Sequence, residues 1–322
     1  MRIERIDFAR GQRAVINSDL RDVAGEKFPT IKQPAKRHAG RYRDKKIDYP
    51  ETFARTERNY QTQPRWVKLR RYSIHGIDHM ETGPFDKDPV PSFDNLYHQY
   101  CEAVHSLDEN LGRVLDCLDE TGLAKNTLVI YMGDNGFHLG EHGFYDKRDA
   151  FETSIRVPML ARAPGLIKPG SKIEKMVLNI DIAPTVMQAM GVKAPLQTPN
   201  NNKGFDGSSF LPLLRGEKTD WRTHFVYEYH WEWNFPATPT LFAIRGERYK
   251  YVYYHGTWDL NSFHDLKTDP IERHNLINVP AYKEHIEMMR EQLFKELTLR
   301  KALDIPIRTP RGVRLDQRKI GH

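Results

Sequence analysis

Cysteine is almost missing from this 322-residue chain: Cys101 and Cys117 are the only two. Their sixteen-residue spacing fits no zinc pattern, and two thiols make no disulfide framework. Long apolar runs are missing as well. No stretch reaches the roughly eighteen apolar residues that a membrane-crossing helix needs. The opening Met1-Arg-Ile-Glu-Arg-Ile-Asp7 lacks the apolar core of a signal peptide. What is present is a hydrophobic fraction of 39% and an aromatic fraction of 11%, enough for a real core. The length suits one large α/β domain with a smaller appendage. The net charge of +6 is uneven, since residues 32–71 hold thirteen Lys/Arg against four Asp/Glu. With no nucleic-acid motif beside it, this stretch reads as a solvated, irregular segment, and nucleic acid is not an expected partner. Its field could also serve an anionic substrate.

Residues 1–33 are charged and weakly periodic and form an unmatched amino-terminal segment. Residues 34–92, rich in Pro, Gly and polar side chains, predict a long surface excursion with short helices. From an N-cap at Asp94, Leu96, Tyr100, Val104, Leu107, Leu111, Val114, Leu115 and Leu118 recur at three and four. That spacing predicts an amphipathic helix over 94–121, stopped by Gly122. Thr127 to Met132 is apolar almost throughout, as in an inner strand of a parallel sheet packed on that helix. Val157–Ala163 reads as the next strand and Val177–Ile180 as a possible third. A helix then runs over Ala183–Met190 to Gly191. Further on the period changes to two, at Phe225–Tyr229, Leu241–Arg245, Tyr249–Tyr254 and Trp258–Asp265. A last helix covers Ala281–Leu299. The fold class is therefore α/β: a mixed, mostly parallel sheet flanked by helices over 34–215, then a small antiparallel sheet with a carboxyl-terminal helix over 216–322.

Chemistry concentrates in Leu128–Lys147. An apolar strand ends at Gly133, and a carboxylate and an amide, Asp134 and Asn135, follow at once. Asp-Asn-Gly alone is more often a turn. At the carboxyl end of a buried strand, where open α/β sheets place their sites, two adjacent oxygens suit Ca²⁺ or Mg²⁺. A complete site needs about six or more oxygens, so other segments must supply the rest. Lys147, thirteen residues on, could hold an anionic oxygen as a compact point charge. His138 and His142 could bind sugar hydroxyls or protonate a leaving group, or make loop hydrogen bonds, the reading favoured for His138. Cys101 and Cys117 fall at core-like helix positions and read as structural.

The pattern Gly133-Asp-Asn-Gly-x-x-x-Gly-Glu-His-Gly-x-x-x-Lys147, followed by Ile155-Arg-Val-Pro-Met-Leu160, resembles the type I sulfatases, which share an alkaline-phosphatase-like fold. Asp181-Ile-Ala-Pro-Thr185, Pro64-Arg-Trp-Val-Lys68, His75-Gly-Ile-Asp78, Tyr249-Lys-Tyr251 and Phe263-His-Asp-Leu-x-x-Asp-Pro-x-Glu-x-x-Asn-Leu276 are similar to family segments in the same order. The resemblance spans roughly residues 34–307. It implies a sulfuric ester hydrolase acting on a sulfated carbohydrate. Asp134 and Asn135 would ligate Ca²⁺ (or Mg²⁺), Lys147 would bind sulfate, and His75 would touch sulfate or the leaving oxygen. The segment Glu228-Tyr-His-Trp-Glu-Trp-Asn-Phe-Pro236 most resembles a branch acting on N-acetylglucosamine-6-sulfate and related sugars, with Trp231 and His142 as substrate-binding candidates. The family is typically periplasmic, secreted or lysosomal.

The chain departs from the family at its nucleophile, a formylglycine made from a Cys-x-Pro-x-Arg motif. Glu-Ala-Val-His follows Cys101 and Leu-Asp-Glu-Thr follows Cys117, so formylglycine is not encoded here. The family's amino-terminal Asp pair and its upstream sulfate-binding lysine and histidine are not matched either. The simplest expectation is the carboxyl-terminal portion of a sulfatase, a fragment or split partner of an amino-terminal sulfatase segment and inactive alone. A non-catalytic sugar-binding or structural remnant is one alternative. A related metal-dependent phosphoryl-transfer hydrolase is another, for which Asn135 and Lys147 are less suited than for sulfate.

Overall fold

The computed structural model describes residues 34–73, 75–82, 92–192, 204–232, 235–256 and 259–305. The amino-terminal segment 1–33 and Trp258 lie outside the described residues. Short helices α1 (Glu57–Tyr60), α2 (Arg65–Arg70) and α3 (Ile77–Thr82) precede the long helix α4 (Phe93–Glu120). Then come β1 (Val129–Met132), β2 (His138–Leu139), β3 (Tyr145–Asp146), α5 (Glu152–Ile155), β4 (Met159–Arg162), α6 (Ile182–Ala189) and α7 (Leu211–Leu214). Strands β5 (His224–Tyr229), β6 (Leu241–Gly246), β7 (Tyr249–Tyr254) and β8 (Ser262–Asp265) and helix α8 (Lys283–Leu299) complete the order. The chain is α/β; the small antiparallel sheet lies where the period-two pattern put it, and the terminal helix where the helical spacing did. It divides into two compact units.

The first unit holds residues 103–134 and 157–223. Its core is Leu128, Ala163, Ala189, Phe210, Leu211 and Leu214, with Ile130, Met159 and Ala161 half-buried against it. The strand expected over 127–132 is present, but its one ladder among the described residues is antiparallel, to β4, with Ile130 opposite Ala161. All four residues of β1 are only half-buried. An apolar run reports that a strand is coverable; it does not report how many neighbours cover it. Val177–Ile180 is not a strand: a 3-10 turn occupies Asn179–Asp181. The reason is Asp181, whose buried carboxylate accepts from the backbone N–H of Leu178 (2.7 Å) and Ser208 (2.8 Å). The Arg222 guanidinium clamps it twice, at 2.5 and 2.7 Å. These bonds bend the backbone into the start of α6.

The second unit holds 34–102, 135–156 and 224–305 among the described residues. Its sheet runs in the order β5-β6-β7-β8, wholly antiparallel. Alternation along β6 sends Leu241 and Ala243 to one face, Phe242 and Ile244 to the other. Phe242 and Ile244 pack with Tyr251 and Phe263 against Met289, Leu293 and Leu297 of α8. Leu241 and Ala243 pack with Val252 and Tyr254 against Trp66, Val67, Phe144 and Phe151. The segment around α2 is therefore core, not surface excursion, and Arg70 and Arg71 of the basic stretch are buried rather than solvated. Buried charge follows them inward: Lys250 lies 2.6 Å from Glu272 and 3.2 Å from Glu152.

The unit boundary falls within α4. The helix starts one residue before Asp94, and Ser92 is the cap: its hydroxyl accepts from the Asn95 N–H at 3.4 Å. Gly122 ends it with φ of +71°. Phe93 and Leu96 are buried, whereas Val104 and Leu107 are 45% and 48% exposed. Cys101 is half-buried and Cys117 exposed, so the core-like reading fails for Cys117.

Candidate active site

The site builds outward from a tight fold of backbone in the second unit. Strands β2 and β3 pair with His138 opposite Asp146, and the link between them turns through left-handed Gly140, His142 and Gly143. Gly76 bridges to Phe144, and the Tyr145 N–H donates to the His75 carbonyl at 3.1 Å. A Cβ at position 76 would meet the Arg71 carbonyl oxygen at 1.8 Å, so only glycine allows this approach. The bridge delivers the His75 ring to the Asp146 carboxylate, with Nδ1 2.8 Å from Oδ2. Both ring nitrogens are buried without a hydrogen-bond partner of good geometry among the described residues. Phe235 and Tyr145 flank the ring at 4.8 and 5.9 Å between centroids.

Lys147 follows directly. Its carbonyl accepts from Arg70 Nη2 at 2.5 Å, which pins the backbone, and the side chain is half-buried. Among the described residues its ammonium makes no ion pair. Behind it, Arg70 donates to Asp149 at 2.5 Å. Asp149 also faces His138 Nε2 at 2.9 Å and accepts from the Phe151 N–H at 3.0 Å. Thr153 Oγ1 lies 2.9 Å from His138 Nδ1. His138 is thus a buried loop-forming histidine, as the sequence favoured. Burial alone would raise the Asp149 pKa; His138 and Arg70 overcome this and hold it well below the ordinary range.

Arg148 completes a run of four charged residues, Asp146 to Asp149. Its guanidinium pairs with Asp146, lies 3.5 Å from Glu232 and stacks over Phe235 at 3.6 Å from the ring centroid. Asp146 and Arg148 both take left-handed backbone, φ +80° and +89°. Non-glycine residues held there store strain of about 1–3 kcal/mol each, a pattern that clusters at functional sites. Asp146, Arg148, Asp149 and Arg70 were missed in the sequence; the unbroken charged run inside the glycine-rich loop was the available signal.

Burial lowers the pKa of His75, partly offset by Asp146. Burial opposes ionisation of Asp146, yet His75, Arg148 and Arg70 bring its pKa below the usual value. His142 is 3% exposed, its ring stacked 3.9 Å from Phe151, and burial drives its pKa well down. Its ring faces the core. Trp231 is 41% exposed, its indole N–H donating to the Pro236 carbonyl at 3.3 Å.

The two expected metal ligands, Asp134 and Asn135, are neighbours in sequence just after β1. The Asp134 carbonyl accepts from Asn179 Nδ2 at 2.6 Å, and Asn135 Nδ2 donates to the Gly136 carbonyl at 2.8 Å. A carboxylate and an amide oxygen suit a hard cation, but they are two of about six or more donors it takes. Among the described residues no group of three His, Cys, Asp or Glu forms a metal cluster.

Comparison with known proteins decides the family. The sulfatase profile matches residues 27–192, and the carboxyl-terminal profile of N-sulphoglucosamine sulphohydrolase matches 140–299. This chain belongs to the sulfatase family. The N-acetylglucosamine-6-O-sulfatase of Bacteroides thetaiotaomicron is 34% identical over 211 residues, 63% of this chain and 36% of that protein. The human N-acetylglucosamine-6-sulfatase is 32% identical over 178 residues, 53% of this chain and 31% of that one. A solved sulfatase-fold structure, described as a complex with its substrate D-glucosamine-2-N,6-O-disulfate, superposes with a TM-score of 0.69 at 23% identity. The superposition covers 86% of this chain and 65% of that one. The chain thus spans about a third of the length of these curated sulfatases. Sulfatases are generally metal-dependent.

Proposed function

We propose that this chain carries the sulfate-binding and leaving-group side of a sulfatase site for a 6-sulfated N-acetylglucosamine-type sugar. The observation that carries the reading is the joining of His75 to the Lys147 loop, within a chain of the sulfatase family. The named substrates of its relatives support the sugar class. Hydrolysis consumes water and releases sulfate and the sugar alcohol. Lys147 holds a sulfate oxygen, and its backbone anchor on Arg70 fixes where the ammonium starts. His75 gives a proton to the departing sugar oxygen, so the step needs its protonated form. Because burial lowers its pKa, that form gains as pH falls. Asp134 and Asn135 would help to hold Ca²⁺, whose charge would draw electron density from the sulfate. Trp231 offers an exposed aromatic face to the sugar.

No residue here can become formylglycine, so the isolated chain binds without turnover in this reading. The test is calorimetric titration with 6-sulfated N-acetylglucosamine, the unsulfated sugar and the 6-phosphate, in the chain and in Lys147→Ala. Binding of the sulfated sugar that is lost in Lys147→Ala supports the reading. Equal binding of the unsulfated sugar overturns it, and preference for the phosphate favours a phosphoryl-transfer relative. Turnover by the chain alone would mean that another group serves as nucleophile.

A further inference from the structure

We propose that Asp146 is the positioning residue of His75, holding the Nδ1 edge of the ring so that Nε2 is left to face the ester oxygen of a bound substrate. This rests on the sulfatase reading of His75. Three features of the structure meet at this pair. The 2.8 Å approach of Asp146 to Nδ1 marks which ring nitrogen the protein occupies. Nε2 is buried as well and, unlike Nδ1, has no carboxylate within ion-pair distance and no hydrogen bond among the described residues. Buried polar atoms are paired in the great majority of cases, so a lone ring nitrogen needs an explanation, and a ligand atom is one. Finally, Asp146 is held in left-handed backbone, which aspartate tolerates better than most residues but which still costs energy. The β2–β3 ladder and the Arg148 pair hold it there.

A carboxylate behind an imidazole selects the tautomer with the proton on Nδ1 and favours the charged ring once Nε2 takes a second proton. Other groups facing the ring act against it. Arg70 from α2 and Arg148 beyond β3 disfavour its charge, while Phe235 and Tyr145 exclude water. Asp146 is therefore the group that keeps His75 basic enough to serve as an acid. Arg148, shared among Asp146, Glu232 and Phe235, steadies the carboxylate from its far side.

The test reads the ring itself. Nitrogen-15 spectra of the histidine-labelled full chain give tautomer and pKa, with His75 assigned through His75→Gln. Asp146→Asn and Asp146→Gly both suit a positive φ, so the backbone is kept, and unchanged amide spectra confirm it. The wild-type chain should show the Nδ1–H tautomer. Asp146→Asn should lower the His75 pKa by about one unit or more, the worth of a neighbouring opposite charge. Asp146→Gly should mix the tautomers and weaken binding of 6-sulfated N-acetylglucosamine about tenfold, roughly one charge-assisted hydrogen bond. An Nε2–H tautomer in the wild type, or a pKa unmoved by Asp146→Asn, overturns the inference whatever the sugar does. If both nitrogen readouts behave as expected but the sulfated sugar leaves the His75 signals unmoved, the pairing stands and the proposed function falls.

Discussion

Strands β1 and β6 are written in the same alphabet and end in opposite circumstances. Val129-Ile-Tyr-Met132 is half-buried along its whole length and is paired on one side by β4, whose Leu160 is 64% exposed. Leu241-Phe-Ala-Ile244 is 0–4% exposed and is paired on both sides. The helix α8 covers one face of β6, and the segment around Trp66 and Phe144 covers the other. Local sequence marks both as strands. The number of elements brought to each face decides which becomes a core.

The sharpest way to break this comparison is to delete the same amount of side chain from each region. Leu293→Ala in α8 should lower unfolding free energy by about 2–5 kcal/mol, because Leu293 is fully buried in the tail core. Ile130→Ala should cost about 1 kcal/mol, as for a half-covered site. Equal losses in denaturant unfolding would show that β1 is as well covered as β6.

Buried charge gives a test of similar size. Asp149→Ala leaves Arg70 and His138 buried without their common partner, which should cost about 3–5 kcal/mol. Since the Asp149 pKa is depressed, its stabilisation is present above the unfolded carboxylate value and is lost as pH falls below it. The mutant should therefore lose less stability than the wild type on acidification from about pH 5 downward. Parallel acid-unfolding curves would sink this account of the loop.

Glu272 runs with the opposite sign. Burial raises its pKa to about 7 despite Lys250. Its folded-state contribution is full below the unfolded value and is lost as pH rises through about 7. Glu272→Gln should gain on the wild type between pH 4.5 and 7, by on the order of 1–3 kcal/mol. A difference in melting temperature that stays flat across that window would count against a protonated Glu272.

The smallest effect tests the start of α4. Ser92→Ala should cost about 1 kcal/mol, and Asp94→Ala less than that. The reverse order in thermal melts would return the cap to Asp94.

Several features were legible from residue order alone. The terminal sheet and α8 follow from period-two and period-3.6 apolar spacing, because those periods are properties of the backbone. The glycine-rich loop was legible as a candidate site because an acid–amide pair and a lysine follow an apolar strand, and the similarity to sulfatases rests on motifs read in order. Other features belong to the tertiary structure. His75 and Asp146 are seventy-one residues apart, and only the Gly76–Phe144 bridge joins them. Arg70 looked like solvated basic charge until the fold placed Asp149 against it. His142 sits in a glycine-rich loop yet turns its ring onto Phe151, since the left-handed backbone at that position aims it inward. Composition and spacing determined which segments could form strands, helices and a charged loop. Which charges are buried, and which histidines meet a carboxylate, depended on long-range packing, because burial and pairing are set by neighbours distant in sequence.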